Sequence, residues 1–527
     1  MGGGVLKAAA VNGSRAKGAG RPDKIRDLDD LALELRKLRR QGKTIVHCHG
    51  VFDLLHIGHI RHFEEAKAMG DVLVVTLTPD RYVNKGPHRP AFPQELRAEM
   101  ISSLGVVDYV AVNRWPTSVE TIKLLRPSVY AKGPDYKDAS KDVTGGILRE
   151  ERAVRSAGGC IRYTDGITFS STNLLNANFQ IFPKEVRAYI ERFRGKYSPE
   201  DVAGAVDGLR NLKVLVLGEA IIDEYVYGSA MGKSAKEPIL ALQYDRTEKY
   251  GGGTLAIANH AAALCDEVEV ASSIGTVNPQ REFLRKSLRP NARPRFFPKS
   301  GSPTILKRRF VESYSLNKLI EVYEMNDDYL SRAEERAFLD YLEKRLPRFD
   351  VVIAADYGHG MMTPAMVELL SSRKAPFLAV NTQINAANIG FHTISKYPRA
   401  DYICIHEGEI RLDHRNRHEE LGSLIEKLSK RMRCPQIMVT QGKKGTLFYR
   451  QGEGMSACPS LALRIVDRTG AGDAVLTMTA LLAARGVPSD VIGFLGNIAG
   501  AQAVATVGNS VSLDRVGVLK TAEAFLK

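Results

Sequence analysis

The apolar positions along the chain switch between two periods. Between Asp27 and Arg40 they fall at Leu28, Leu31, Leu35 and Leu38, the spacing of a helix with one buried face. Short runs that are apolar on both faces follow at 44–48, 71–77, 108–112 and 128–131, with helical spacing between them at 60–69, 93–103 and 118–125. A strand buried on both faces must be covered on both. Buried strands alternating with helices therefore predict a doubly wound, parallel α/β sheet.

From about 176 to 210 the pattern weakens: Pro183, Gly195 and Pro199 punctuate short polar helices, and the stretch reads as a linker. A new strand opens at 213–218. Segments of strand alternation come next, at 239–244, 304–311 and 319–323, interrupted by a helix start at Gly251-Gly252-Gly253. From Val351 onward strands (351–355, 377–380, 402–405, 436–440) and helices alternate again, and no internal repeat joins the halves. The expected organisation is a disordered tail at 1–25, an α/β domain at 26–180, a linker at 181–210 and a second α/β domain at 211–527.

Composition narrows the picture. In 527 residues, 44% apolar and 25% charged, a mainly disordered, collagen-like or disulfide-scaffold chain is excluded. The net charge of +14 is spread along the chain, which suits anionic ligands such as phosphates better than a nucleic-acid arm. Six cysteines without a CxxC pair, and a basic Gly/Ala-rich start without an apolar core, lead us to expect reduced thiols in a cytoplasmic protein. No run reaches the ~18 apolar residues of a membrane span, so no membrane insertion is expected; the Ala-rich run at 474–484 reads as a buried helix.

Two constellations carry chemistry. The first, Gly50-Val51-Phe52-Asp53-Leu54-Leu55-His56-Ile57-Gly58-His59, joins a strand to a helix at the sheet's carboxyl edge, where open α/β sheets bind ligands. A helix start favours anions, Gly58 permits close approach of a nucleotide, and two imidazoles can hydrogen-bond phosphate oxygens as charge builds on phosphorus. The segment resembles the HxGH motif of the cytidylyltransferase-like nucleotidyltransferases. Lys85-Gly86 with Arg89-Pro90 resembles that family's basic loop, Lys132-Gly133-Pro134-Asp135-Tyr136 its KGxDY segment, and 164–173 its closing helix start. The resemblance implies catalytic roles for His56, His59 and Lys85. It implies nucleotide contacts at Gly50, Phe52, Asp53, Gly58, Arg89, Lys132, Ser170, Ser171 and Thr172. HIGH also marks class I aminoacyl-tRNA synthetases, but the only counterpart of their KMSKS loop, Lys427-Leu428-Ser429-Lys430, lies on an amphipathic helix pattern far downstream.

The second constellation is Asp467-Arg468-Thr469-Gly470-Ala471-Gly472-Asp473 before an apolar helix. Small residues leave the amides of a helix start open to an anion, and an aspartate in the first turn can take a proton from a substrate hydroxyl. The segment resembles the closing signature of the ribokinase-like (PfkB) sugar kinases. Val439-Thr440-Gln441-Gly442-Lys443-Lys444-Gly445 resembles their nucleotide segment, Gly218-Glu219 through Asp223 their opening motif, and Gly251-Gly252-Gly253 with Asn259 their sugar-side motif. Asp473 is then the expected base. The amides of Gly470, Ala471 and Gly472, with Thr440, Gly442 and Gly445, would hold nucleotide, while Asp223, Gly252, Gly253 and Asn259 would hold sugar and Glu409 would help place a metal. Three departures stand out: His359 in place of the lysine of heptose kinases, Asn381-Thr382-Gln383 in place of their Asp-Pro-Lys, and His406 in place of the asparagine of N-x-x-E.

Together the modules resemble bifunctional heptose kinase/adenylyltransferases with the domain order reversed. The resemblance implies two doubly wound domains, the second with a small β lid. The expected activities are phosphorylation of a sugar or sugar phosphate by ATP and nucleotidyl transfer from ATP or CTP to a sugar phosphate. Mg²⁺ is the expected cofactor, a homodimer or higher oligomer the expected assembly, and no nucleic-acid partner is expected. The alternative is an active nucleotidyltransferase whose kinase-like domain only binds sugar.

Overall fold

In the computed structural model, which describes residues 24–83, 89–136, 146–165, 182–372, 376–386, 388–462 and 464–526, the buried runs near the N-terminus pair side by side. They form β1 (Ile45–Gly50), β2 (Val72–Leu77), β3 (Tyr109–Val112), β4 (Val129–Lys132) and β5 (Cys160–Tyr163). All are parallel, in the order β3-β2-β1-β4-β5. Alternate residues feed two cores. Val46, Cys48, Leu73, Val75 and Phe63 pack on one face; Leu28, Leu31, Leu35, Ile45 and Val74 pack on the other. The order reverses between β1 and β4, so the carboxyl ends of these strands border the crevice in which such sheets bind ligands. Lys24 and Ile25, expected in a disordered tail, instead bridge to the sheet edge: the Val110 amide donates to Lys24 O and the Arg26 amide to Val110 O, each at 2.9 Å.

The chain divides into two compact units between residues 174 and 175. The second contains β6 (Lys213–Gly218), β7 (Ala220–Lys233), β8 (Leu240–Gly253), β9 (Glu267–Val277), β10 (Ala292–Pro303), β11 (Ile305–Glu312), β12 (Lys318–Glu324), β13 (Val351–Asp356), β14 (Phe377–Thr382), β15 (Tyr402–His406), β16 (Gln436–Thr440), β17 (Thr446–Arg450) and β18 (Gly454–Cys458). Nine of them form one sheet, β10-β9-β6-β13-β14-β15-β16-β17-β18, parallel up to β16 and antiparallel beyond. The other four, β12-β11-β7-β8, form the small lid sheet. Its register sets Lys307 opposite Asp223 and Tyr323, and Arg309 opposite Tyr225 and Glu321, so these six side chains share one face.

The expected linker is not one. Residues 182–210 hold the helices Lys184–Arg194 and Pro199–Asp207, whose Val186, Tyr189, Ile190, Phe193, Val202 and Val206 are buried in the second unit's core against Phe494 and Phe525. Their charged outer faces hid an apolar stripe at i, i+3, i+4 and i+7. Lys427–Lys430 fall inside the helix Leu421–Arg431, with Leu428 and Ser429 buried, so they form no mobile loop.

Candidate functional site

In the first unit the chain leaves β1 and reverses at Phe52 and Leu54, both at positive φ (46° and 53°), a conformation that bulky residues rarely hold without a surrounding structure that demands it. Gly50 makes room: a Cβ there would lie 3.0 Å from the Phe52 ring. Phe52 packs edge-on to His59 and Phe63, with centroids 5.5 and 4.9 Å away. His56 caps the helix Ile57–Lys67, its Nδ1 accepting the Gly58 amide at 3.1 Å. That bond places the ring proton of neutral His56 on Nε2, as a hydrogen-bond donor. The His56 and His59 rings stack at 3.9 Å. The two imidazoles thus stand side by side at a helix start on the sheet's carboxyl edge.

The expected cationic clamp is arranged differently. Arg89 faces Asp53 at 2.8 Å with both side chains buried, and Asp53 also accepts the Ala91 amide at 2.8 Å. Asp53 therefore holds the basic loop's end. Lys132 is ion-paired with Glu150 at 2.7 Å and lies over the Tyr136 ring at 4.6 Å, so its charge is already matched within the unit. Lys85, Ser170, Ser171 and Thr172 lie outside the described residues. Sequence reasoning places Arg97 only as following the basic loop in a helix. Fully buried, it donates to Phe92 O and Thr78 O, each at 3.0 Å, and also to Val51 O and Asp80, tying the ends of β1 and β2 to the basic loop. Nor did it see the polar cluster under the loop, where His47 Nε2 and His49 Nδ1 contact Thr76 Oγ1 at 2.7 and 2.8 Å. Burial pushes both imidazoles down to about 3, so they are neutral at physiological pH.

In the second unit, Gly470 (φ 81°) starts the helix Ala471–Ala484. A Cβ at Gly470 would sit 2.1 Å from Asn509 Oδ1, whereas one at Gly472 would meet nothing within 4 Å. Open backbone and positive φ together give the uncovered helix start that an anion needs. Asp473 follows in the first turn, half-buried, with Tyr357 donating its hydroxyl to Oδ1 at 3.1 Å. Burial pushes the Asp473 carboxyl up to about 7, with the Tyr357 bond working in the opposite direction. This is the range in which a carboxylate serves well as a general base at neutral pH.

A cavity of about 1170 Å³ lies beside this helix start. It brings together Thr440, Gly442, Gly445, Ala471, Gly472, Asp473 and Glu409 of the expected set, with Asn381, Gln383 and His406 of the departures. Gly445 (φ 97°) closes the turn after β16, where a Cβ would be 2.1 Å from Cys458 O. Glu409 takes the Ile384 amide at 3.1 Å and the His406 amide at 2.7 Å, one on each oxygen, and burial raises it to about 7. Each oxygen keeps a lone pair, and a divalent cation at the cavity would favour the ionised form, so the chemistry of this carboxylate fits such a cation.

The sugar-side residues are more occupied than expected. Asp223 gives one oxygen to Arg309 Nη1 at 2.5 Å and the other to Asn509 Nδ2 at 3.0 Å. Gly252 is the neighbour that permits this, since a Cβ there would lie 1.9 Å from Asp223 Oδ2. Gly253 (φ 55°) starts the helix Thr254–Leu264. Asn259 is a structural tie, donating to Ser287 O at 2.7 Å and accepting the Arg289 amide at 2.8 Å. Glu219, given no role from sequence, is fully buried and accepts the amides of Tyr357, His359 and Met361 at 3.1–3.2 Å. It thereby fixes the loop that carries Tyr357 to Asp473. Asp467, just upstream of Gly470, accepts from the lid's Tyr225 at 2.9 Å and Lys318 at 2.7 Å. Burial opposes its charge, but the Lys318 bond and the Thr469 and Gly508 amides outweigh that and hold it down at about 2.

One expected result follows from the Tyr357 bond. Tyr357→Phe removes a donor that favours ionised Asp473, so the base titrates at higher pH. At pH 7 kcat should fall roughly tenfold, the worth of one hydrogen bond to a charged group, and recover as pH rises; kcat–pH profiles of the two proteins check it.

Residues 47–176 match a family described as cytidylyltransferase-like, and residues 211–515 match the pfkB family of carbohydrate kinases. A relative described as bifunctional protein HldE, from a Nitratiruptor species, is 40% identical over 129 residues, 24% of this chain and 28% of that protein. The protein of the same description from Aliarcobacter butzleri is 37% identical over 150 residues, 28% of this chain and 30% of that one. The matches thus span under a third of these relatives' length. Among solved structures, phosphofructokinase-2 from Escherichia coli in complex with potassium is 14% identical, covering 60% of this chain and 100% of that chain at a TM-score of 0.49.

Proposed function

Because this chain belongs to the pfkB family of carbohydrate kinases and carries a cytidylyltransferase-like module ahead of that domain, we propose that it is a two-site enzyme of nucleotide-sugar synthesis. In the second unit Asp473 takes the proton of a sugar hydroxyl. The freed oxygen attacks the γ-phosphorus of ATP, whose charge meets the amides at 470–472, and ADP leaves. In the first unit a phosphate oxygen of a sugar phosphate attacks the α-phosphorus of ATP or CTP and pyrophosphate leaves. His56 and His59 hydrogen-bond the oxygens on which charge accumulates. Mg²⁺, when bound, neutralises triphosphate charge in such transfers, and Glu409 is the cavity carboxylate suited to it. No helix among the described residues is long and apolar enough to cross a membrane, and dependence on nucleoside triphosphates fits a cytoplasmic enzyme.

The observation that carries the reading is the pairing, at one cavity, of an aspartate raised to about 7 with a helix start left open at Gly472. Mass spectrometry of products from all four nucleoside triphosphates with a panel of sugars and sugar 1-phosphates tests it. The reading requires ADP with one class of acceptor and pyrophosphate plus a nucleotide sugar with the other. Pyrophosphate chemistry alone, with sugar bound but never phosphorylated, would leave a nucleotidyltransferase with a sugar-binding companion.

A further inference from the structure

A chain of four polar side chains runs through the core of the first unit to its ligand-binding edge. His47 and His49 lie two apart on β1 and so share one face of the sheet. His49 stands opposite Thr76 of β2 in the register, and Thr78 follows Thr76 on that same face. Thr76 Oγ1 lies 2.7 Å from His47 Nε2 and 2.8 Å from His49 Nδ1, and Thr78 Oγ1 lies 3.2 Å from His49 Nε2. His47 and Thr76 are fully buried. Among the described residues, His47 Nδ1 has no partner, and Thr76 Oγ1 has only the two imidazoles.

The protons available fix the direction of these bonds. Both imidazoles are neutral, because burial disfavours their charged form. Each ring therefore carries one proton, as does each threonine hydroxyl. A buried proton with no acceptor is the costlier orphan. On His47 Nδ1 a proton would meet nothing, so it sits on Nε2 and is donated to Thr76. Thr76 then donates its own proton to His49 Nδ1, the one acceptor left to it among the described residues. That leaves the His49 proton on Nε2, donated to Thr78. Every bond points the same way, out of the core toward the carboxyl end of β2. Reversing the chain, or aiming both imidazoles at Thr76, strands a buried proton.

Thr78 is thus left with a hydroxyl proton that no described residue accepts. It stands where β1 turns into the histidine segment. Its amide donates to Gly50 O at 2.9 Å, and its carbonyl accepts Arg97 at 3.0 Å. Arg97 in turn donates to Val51 O on that turn and to Phe92 O beyond the basic loop. We propose that Thr78 is a further phosphate-binding residue of nucleotidyl transfer, its hydroxyl aimed as a donor by the relay His47–Thr76–His49. The bond from His49 polarises the Thr78 hydroxyl, and each bond upstream strengthens the next. A donor oriented in advance gives a phosphate oxygen its hydrogen bond with no side-chain reorganisation. His47, Thr76 and His49 are positioning residues. The inference rests on the nucleotidyltransferase reading above and adds a donor to that site.

The test has a spectroscopic arm and a kinetic arm, both on the full chain. Nitrogen NMR of histidine-labelled protein reads which ring nitrogen carries the proton. His47 and His49 should both be protonated at Nε2; a proton on Nδ1 of either breaks the relay and overturns the proposal. Adding inorganic phosphate should shift the His49 Nε2–H signal in the parent protein and leave it in place in Thr78→Val. That result supports the site even if no sugar phosphate yields pyrophosphate, whereas a signal unmoved in the parent sinks it even if nucleotidyl transfer is observed. In the kinetic arm, Thr78→Val should lower kcat/KM for pyrophosphate release by roughly 10- to 100-fold, the range of a hydrogen bond to a charged group. Thr78→Ser should recover most of the loss. Thr76→Val, which breaks the relay and keeps the Thr78 hydroxyl, should show a smaller loss in the same quantity. A raised KM for the triphosphate or for the sugar phosphate identifies whose phosphate Thr78 meets, and a fall in kcat alone places the bond in the transition state. Full kcat/KM in Thr78→Val or in Thr76→Val, or no recovery in Thr78→Ser, would overturn the proposal.

Discussion

Asp473→Asn should lower ADP formation by about 10³-fold, within the range that a general base contributes, and leave pyrophosphate release untouched. The asparagine fits the same space and can still take the Tyr357 hydroxyl bond, but it cannot accept a proton. The loss is therefore chemical rather than structural, and the melting temperature should hardly move. The pH dependence carries the same signature. Burial outweighs the Tyr357 bond and sets the Asp473 carboxyl at about 7. Below that pH the base is protonated and idle, so parent kcat falls as pH drops through 7, while the residual rate of the variant has no such limb. Coupled-enzyme ADP assays from about pH 5.5 to 9, a span set by the usual working range of such a base, check both points. An ADP rate unchanged by Asp473→Asn would mean that the GAGD helix start binds without catalysing.

How much of this could be read from the chain alone depends on the distance over which each interaction acts. Strands such as β2 and β13 were legible because burial on both faces leaves a continuous apolar run. The lid strand β11 is legible because buried and half-buried positions alternate along most of it. β9 and β10 show no clean period in sequence, because serine and lysine share their buried positions. The helix Lys184–Arg194 has the sequence of a polar linker, because charge between Val186, Tyr189, Ile190 and Phe193 masks the periodicity of its buried stripe.

The site divides along the same line. The stacked imidazoles and the glycines before Asp473 lie within single segments, where local spacing sets geometry. The partners that decide charge come from distant parts of the chain. Glu150 on Lys132, Asp53 on Arg89, Arg309 and Asn509 on Asp223, and Tyr357 on Asp473 leave no periodic trace. A lysine in a motif reads as free charge, and only the fold shows that Lys132 already has a carboxylate while Lys307, in no motif, has none among the described residues.

His59→Ala should cut pyrophosphate release by roughly 10²- to 10³-fold, the usual cost of one donor to a developing oxyanion, with ADP formation intact. His59 stacks on His56 at 3.9 Å and receives the edge of Phe52, so its ring also steadies the reversal that brings His56 to the helix start. Two effects are thus expected together: loss of a phosphate donor and looser placement of its neighbour. His59→Asn, which restores a donor but not the stacked ring, separates them by recovering part of the rate. The kinase reaction is the internal control, because Asp473 and its cavity are built wholly from residues of the second unit. Pyrophosphate release and ADP formation are followed on the same preparation, with circular dichroism to verify the fold. Equal loss of both activities in a folded His59→Ala protein would show that the two transfers share one site, and the two-site scheme would have to be abandoned.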